Sequence, residues 1–194
     1  MEEKKSLNSE YFENVYAANE DPWNFETSEY EAAKYSVTIA SLPKDKYESA
    51  LEIGCSIGVL TQLIAKKCLR LLATDVSRKA IDQASRRCIE LDNVSFQLLT
   101  FPKQIPDGRY DLIIISEVAY YLSYNDWEYA IKILLEKIIT GGHIVLVHWL
   151  PEVHDYPQTG DEVHNSFKEF MENRMINIYA DRTMSYRIDV WEKL

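Results

Sequence analysis

Two glycines, Gly54 and Gly58, stand at the ends of a turn in the run Leu51-Glu52-Ile53-Gly54-Cys55-Ser56-Ile57-Gly58. Glycine there lets the backbone pass close to a ligand and aims the N–H groups at the head of the following helix toward it. An acid, Asp75, follows the first glycine by about 20 residues, the place from which a carboxylate reaches the hydroxyls of an adenosine ribose. A glycine pair alone is weak evidence, and Asp75 with Ser77 also reads as a plain helix cap. Strand, turn, helix, strand and acid in this order together point to a nucleoside site.

The details narrow the nucleoside. A dinucleotide pyrophosphate calls for G-x-G-x-x-G, but Ser56 occupies the middle glycine position. Glu52 lies in the strand before the turn, where a carboxylate repels phosphate yet can orient the ammonium of an amino-acid group. S-adenosylmethionine carries that ammonium and no phosphate. A dehydrogenase is also expected to need a second, substrate-binding region, and only residues 150–194 follow Trp149.

These residues must be held by alternating elements. The pattern predicts helices over 9–18 and 28–41, the second opening on the capping pair Ser28 and Glu31, with the aromatic loop Asp21-Pro22-Trp23-Asn24-Phe25 between them. A strand over 49–53, the turn, and a helix over 59–67 form the first βα unit. Strands over 69–74, 94–99, 110–116 and 143–149 follow, with helices over 77–90 and 126–139. Such alternation implies a mostly parallel, doubly wound sheet. The tail differs: Thr159 and Glu162 form a capping box, 175–179 is apolar, and 184–191 alternates with period two. Strands joined by about four residues cannot be parallel neighbours, so the sheet should end in an antiparallel hairpin.

Composition sets the partners. The 194 residues include 31 Asp and Glu against 21 Lys and Arg, a formal charge of -10, which opposes binding to nucleic acid through phosphate contacts. Cys55, Cys68 and Cys88 have neither disulfide nor zinc spacing. The uncharged stretch from Ile138 to Pro151 is too short to span a bilayer. Met1-Glu2-Glu3-Lys4-Lys5 runs into polar sequence without the apolar core of a signal peptide, so a cytoplasmic protein is expected. The expected organisation is a single domain, with 1–47 as a helical lid region and 48–194 as a Rossmann-like core.

Glu52 to Gly58, Asp75, and the run Tyr110 to Val118 resemble the motifs of class I S-adenosylmethionine-dependent methyltransferases. Asp21-Pro22-Trp23 with Lys34-Tyr35, Ser116 to Leu122, and Gly141-Gly142-His143 resemble, over most of residues 10–149, the nodulation-factor N-methyltransferase (NodS-like) family, which methylates the free amine of a deacetylated glucosamine in an oligosaccharide. The resemblance implies an α/β fold with seven strands ordered 3-2-1-4-5-7-6 and helices on both faces. It implies that the Gly54 to Gly58 turn, with Cys55 and Ser56, receives the methionine part of the cofactor; Trp23, Lys34, Glu52 and Glu117 are also assigned to cofactor binding. Asp75 and Val76 receive the ribose, and Thr100 and Phe101 line the adenine. Many relatives carry Asp-Ala or Asp-Ile where Thr100-Phe101 stands, so a hydroxyl or backbone contact and an apolar wall would replace a carboxylate there.

A sulfonium methyl is already electrophilic, so rate comes mainly from holding an acceptor lone pair in line with it. Trp23, Tyr120 and Tyr121 could face the sulfonium and exclude water, or could simply pack. An amine must arrive neutral. His148, at the carboxyl end of a strand, is the candidate base, with Glu117, Tyr120 and Tyr121 beside it in the catalytic set. Asp161 and His164 are assigned to the acceptor, and His143 and His154 to structure. No metal is expected. The readings are an N-methyltransferase of an aminosugar-like small molecule, an O-methyltransferase of the same fold, and a cofactor-binding module without turnover, as a monomer or weak homodimer.

Overall fold

The computed structural model describes residues 4–194; the polar start at Met1 to Glu3 lies outside the described residues. Seven strands form one sheet of order β3-β2-β1-β4-β5-β7-β6, the order expected from the resemblance. The described residues form two compact units, one of residues 8–100 and one of residues 101–194 with residues 4–7.

The first unit holds α1 (Ser9–Ala18), α2 (Glu29–Ala40), β1 (Ala50–Ile53), α3 (Val59–Ala65), β2 (Leu71–Asp75), α4 (Arg78–Arg87) and β3 (Val94–Leu98). β1 pairs with β2 and β2 with β3, both parallel, as right-handed βα crossovers require. Ser28 caps α2 by accepting the Glu31 N–H. The reciprocal half of the expected box is missing, because the Glu31 carboxylate turns to Lys34 at 2.9 Å.

The second unit holds β4 (Tyr110–Ser116), α5 (Tyr124–Lys137), β5 (Ile138–Trp149), α6 (Gly160–Phe170), β6 (Met175–Arg182) and β7 (Tyr186–Lys193). α5 begins two residues earlier than Asp126, since Ser123 is its cap. β5 starts at Ile138 rather than 143, directly from the end of α5. β4 and β5 are parallel, while β7 is antiparallel to both β5 and β6, so the tail hairpin is as expected. α6 carries the full Thr159–Glu162 capping box. It is locked to α5 by Trp127, whose indole N–H donates to the Val163 carbonyl and the Ser166 hydroxyl, both at 3.1 Å.

Candidate functional site

In the first unit the turn after β1 is built around backbone that favours glycine. Gly54 and Gly58 have φ of 79° and 84°, and Ser56 between them has φ of 49°. A Cβ on Gly58 would sit 2.9 Å from the Ala84 Cα, so the second glycine also lets α3 and α4 close together. The N–H groups of Gly54 and Cys55 donate to the Thr74 carbonyl at 2.8 and 2.9 Å. Ser56 N–H donates to Asp75 Oδ2 and Ser77 N–H to Asp75 Oδ1, each at 2.9 Å. Asp75 therefore fixes the glycine turn and holds the N–H of Ser77, which itself caps α4 by accepting the Ala80 N–H at 3.3 Å; the site and capping readings of the Asp75–Ser77 pair are compatible.

Two buried carboxylates face this turn with neutral donors. Glu52, 2% exposed, accepts the Thr61 hydroxyl at 2.6 Å from α3. Burial pushes Glu52 up to about 7, with the Thr61 hydrogen bond opposing and Asp75 adding to the shift. Burial likewise pushes Asp75 up to about 6 against the N–H groups of Ser77, Ser56 and Val76. A cationic ligand would favour the ionised form of both.

The flanking residues fall into place unevenly. The Cys55 thiol is turned into a core cluster with Ala73, Ile81 and Ala84, which leaves only its backbone for a ligand. Tyr16 hydroxyl and Ser56 hydroxyl are 2.6 Å apart. Trp23 packs edge-on against Tyr16 and stacks on Phe25, both at 5.6 Å between ring centroids, and joins Ile57 and Ala80 in one cluster. The loop is further braced by Asp21, whose carboxylate accepts the N–H groups of Phe25 and Glu26. Arg87 completes the brace by pairing with Glu26 and donating to the Ile57 carbonyl. Lys34 is buried and paired with Glu31, 5.4 Å over the Tyr30 ring. Val76 and Thr100 are half-buried at the ends of β2 and β3.

In the second unit Glu117 has φ of 59°, an uncommon value for a non-glycine residue. Its carboxylate accepts the Tyr120 hydroxyl and the Trp149 N–H, the latter at 2.9 Å. Tyr120 stacks on Tyr156 at 4.9 Å, and Tyr121 meets both edge-on at 4.7 Å. Burial holds both tyrosine hydroxyls well above the usual phenol range. Phe101 is half-buried at the start of this unit.

His148 and His164 are fully buried. His148 Nε2 accepts the Ala119 N–H at 3.1 Å, and its Nδ1 lies 3.0 Å from His164 Nε2. His164 Nδ1 lies 2.8 Å from Asp189 Oδ2, which Arg187 also approaches at 2.9 Å. Both ring nitrogens of His148 are thus engaged, which removes the open lone pair that a base for an incoming amine requires. Asp161 does not stand open as an acceptor group either: it pairs with Arg182 at 2.6 Å and Arg187 at 3.4 Å, and the Arg182 hydrogen bond, reinforced by both charges, holds its carboxyl below the usual range. His143 contacts Glu192 at 3.1 Å while buried, in keeping with a structural part.

The sequence reading missed Asp189, Arg187, Tyr16 and Tyr156. Asp189 and Arg187 left no distinguishing trace: both fall on the polar positions of the period-two alternation over 184–191, which read as facing solvent.

The family model for nodulation protein S (NodS) matches residues 6–146. Nodulation protein S of Rhizobium tropici is 32% identical over 130 residues, covering 66% of this chain and 55% of that protein. That of Bradyrhizobium diazoefficiens is 33% identical over 106 residues, covering 54% and 51%. The chain thus spans about half the length of the curated relatives it matches. Among solved structures, the N-methyltransferase NodS of Bradyrhizobium japonicum WM9 in complex with S-adenosyl-L-homocysteine superposes with a TM-score of 0.81 at 20% identity, covering 96% of this chain and 99% of that one, a likeness of fold. With its glycine turn, its acid at the end of β2 and its match over residues 6–146, the chain belongs to the nodulation protein S family.

Proposed function

We propose that this chain is an S-adenosylmethionine-dependent methyltransferase that acts on the amine of an aminosugar-like small molecule or deacetylated oligosaccharide. The observation that carries the cofactor is the joined pair of Ser56 and Asp75. The glycine turn and the acid that would hold the ribose are one hydrogen-bonded piece. The residues also fit the cofactor's charge. Glu52 and Asp75 are buried among neutral donors and lifted in pKa, and the methionine end of S-adenosylmethionine is a net cation.

On this reading Gly54, Ser56 and Gly58 receive the methionine part, Asp75 the ribose, and Thr100 with Phe101 the adenine. When bound, the cofactor supplies an electrophilic methyl on sulfur, and nothing in the chain has to activate it. The acceptor nitrogen gains the methyl as the carbon–sulfur bond breaks, and the amine gives up a proton to solvent. The chain's task is positioning and exclusion of water. Glu117, held by Tyr120 and the Trp149 N–H, is suited to orient the amine, and the rings of Tyr120, Tyr121 and Tyr156 to offer a face to a sugar. Nodulation protein S relatives and an N-methyltransferase of the same fold support a nitrogen acceptor.

The test is transfer of labelled methyl from S-adenosylmethionine to a panel of glucosamine, deacetylated chitooligosaccharides and simple phenols. Labelled amine products are expected. Labelling of phenols alone would overturn the nitrogen acceptor, and cofactor binding with no transfer to any member would overturn the enzyme reading.

A further inference from the structure

The chain of Ala119, His148, His164 and Asp189 has a direction that its atoms dictate. A backbone amide nitrogen can only donate, so the Ala119 N–H makes His148 Nε2 an acceptor. The proton of neutral His148 is then on Nδ1, which donates to His164 Nε2. His164 in turn carries its proton on Nδ1 and donates to Asp189, which Arg187 keeps ionised. A second proton on either ring would set two N–H groups against each other, so both imidazoles are neutral. Burial lowers His164 despite the facing Asp189, and Asp189 stays low because His164 and Arg187 outweigh its own burial.

Every element packed here contributes. β5 supplies His148, and β7 supplies Arg187 and Asp189, with His148 opposite Arg187 and Leu146 opposite Asp189 in register. α6 supplies His164 and, nearer its start, Asp161, which faces Arg187 and Arg182. The ring of Tyr120 lies 5.2 Å from that of His148. α6 has no slack: a Cβ on Gly160 would stand 2.4 Å from the Trp149 carbonyl and 3.2 Å from the His148 Cβ. Two imidazoles and a carboxylate are a costly filling for a sheet–helix interior, where apolar residues would pack at lower cost. What they hold is the first N–H of the short 3₁₀ turn Ala119–Tyr121, a donor with no partner inside its own helix. That turn follows the strained Glu117 and carries both tyrosines.

We propose that His148, His164 and Asp189 are positioning residues: a one-way hydrogen-bond chain anchored on Arg187 that sets the Ala119 amide and, through it, the Glu117–Tyr120 pair that orients the acceptor. The proposal rests on the methyltransferase reading above. It replaces a proton-accepting His148 with one whose lone pair is committed to the backbone.

The test uses the full chain. In nitrogen-15 NMR of the parent, both His148 and His164 are expected as the Nδ1–H tautomer, uncharged at pH 8 and still so at the usual histidine midpoint of about 6.5. The Nε2–H form of His148, or a ring that takes up a second proton above that pH, would overturn the chain. His148→Asn keeps a donor toward His164 but is too short to accept from Ala119; it should lower kcat by about tenfold or more, as small displacements of a positioned group do. Affinity for S-adenosylhomocysteine should stay unchanged. His148→Gln restores an acceptor at the Nε2 position and should recover most of that loss. Equal kcat in parent and His148→Asn, or equal damage in Asn and Gln variants at matched melting temperature, would reduce the chain to plain packing and overturn its positioning part. If the parent itself transfers no methyl group, the function reading is what fails, and the tautomers still judge the chain.

Discussion

The backbone N–H of Ser56 donates to the carboxylate of Asp75 at 2.9 Å, tying the turn after β1 to the last residue of β2. One side chain thereby shapes the backbone that would contact the methionine part and offers itself to the ribose. Asp75→Ala should act on both. It strands the half-buried N–H of Ser56 and the buried N–H of Ser77, at about 1 to 3 kcal/mol for a buried donor left without a partner, and it removes the ribose acceptor. A lower melting temperature together with weaker S-adenosylhomocysteine binding in calorimetry is expected. Parental affinity in a folded Asp75→Ala variant would place the nucleoside elsewhere.

Gly58→Ala tests the other end of the turn. The new methyl would press on the Ala84 backbone at 2.9 Å, and φ of 84° is strained for alanine. The expected loss is roughly 1 to 3 kcal/mol, the scale of a residue forced into a sparsely populated backbone region. Urea unfolding would measure it. A stability unchanged from the parent would mean that α3 and α4 separate at no cost.

If residues 1–47 act as a lid, the aromatic loop at Asp21-Pro22-Trp23 should order over a bound cofactor. Its observed bracing predicts otherwise. Asp21 already holds the N–H groups of Phe25 and Glu26, Gln83 donates to the Glu20 carbonyl, and Arg87 pairs with Glu26. Limited proteolysis of the cofactor-free protein should therefore leave residues 19–27 largely uncut, and Asp21→Ala should open them. Fast cutting in the parent that S-adenosylhomocysteine abolishes would restore the lid.

The glycine turn and Asp75 were legible because their chemistry is local: each sits where a strand ends, and strand ends can be read from hydrophobic periodicity. The strand order came from the family resemblance, and the closing hairpin from the short connection between its strands. The part played by His148 was not legible. It depends on Ala119, His164 and Asp189, which come from a turn, a helix and a strand far apart in sequence. Periodicity says that such groups are buried, while only the tertiary contact says whether a ring nitrogen is open. For the same reason Asp161 read as an acceptor group, although Arg182 and Arg187 neutralise it across the hairpin.

Glu52 sets function against stability. Burial raises it from 4.5 to about 7, so the folded state holds its proton more tightly than the unfolded chain does. Between those two values the folded state binds more protons, and by linkage stability falls as pH rises across that window. Above it, Glu52 stays ionised in an interior whose nearest donor is the Thr61 hydroxyl. Glu52→Gln keeps a partner for Thr61 and removes the charge. It should therefore stabilise the cofactor-free protein at pH 8, by no more than about 3.5 kcal/mol given that one pKa unit corresponds to about 1.4 kcal/mol, and raise its melting temperature. It should also flatten the decline in stability between pH 4.5 and 7. Cofactor affinity should move the opposite way, because the ammonium of the ligand's amino-acid end binds best to the ionised acid. The parent's affinity for S-adenosylhomocysteine, which keeps the ammonium, should increase as pH rises through about 7, and Glu52→Gln should lose most of that increase. Calorimetric titrations of both proteins at pH 5.5, 7 and 8.5 decide the matter: parallel pH profiles would mean that Glu52 does not meet the ligand's charge.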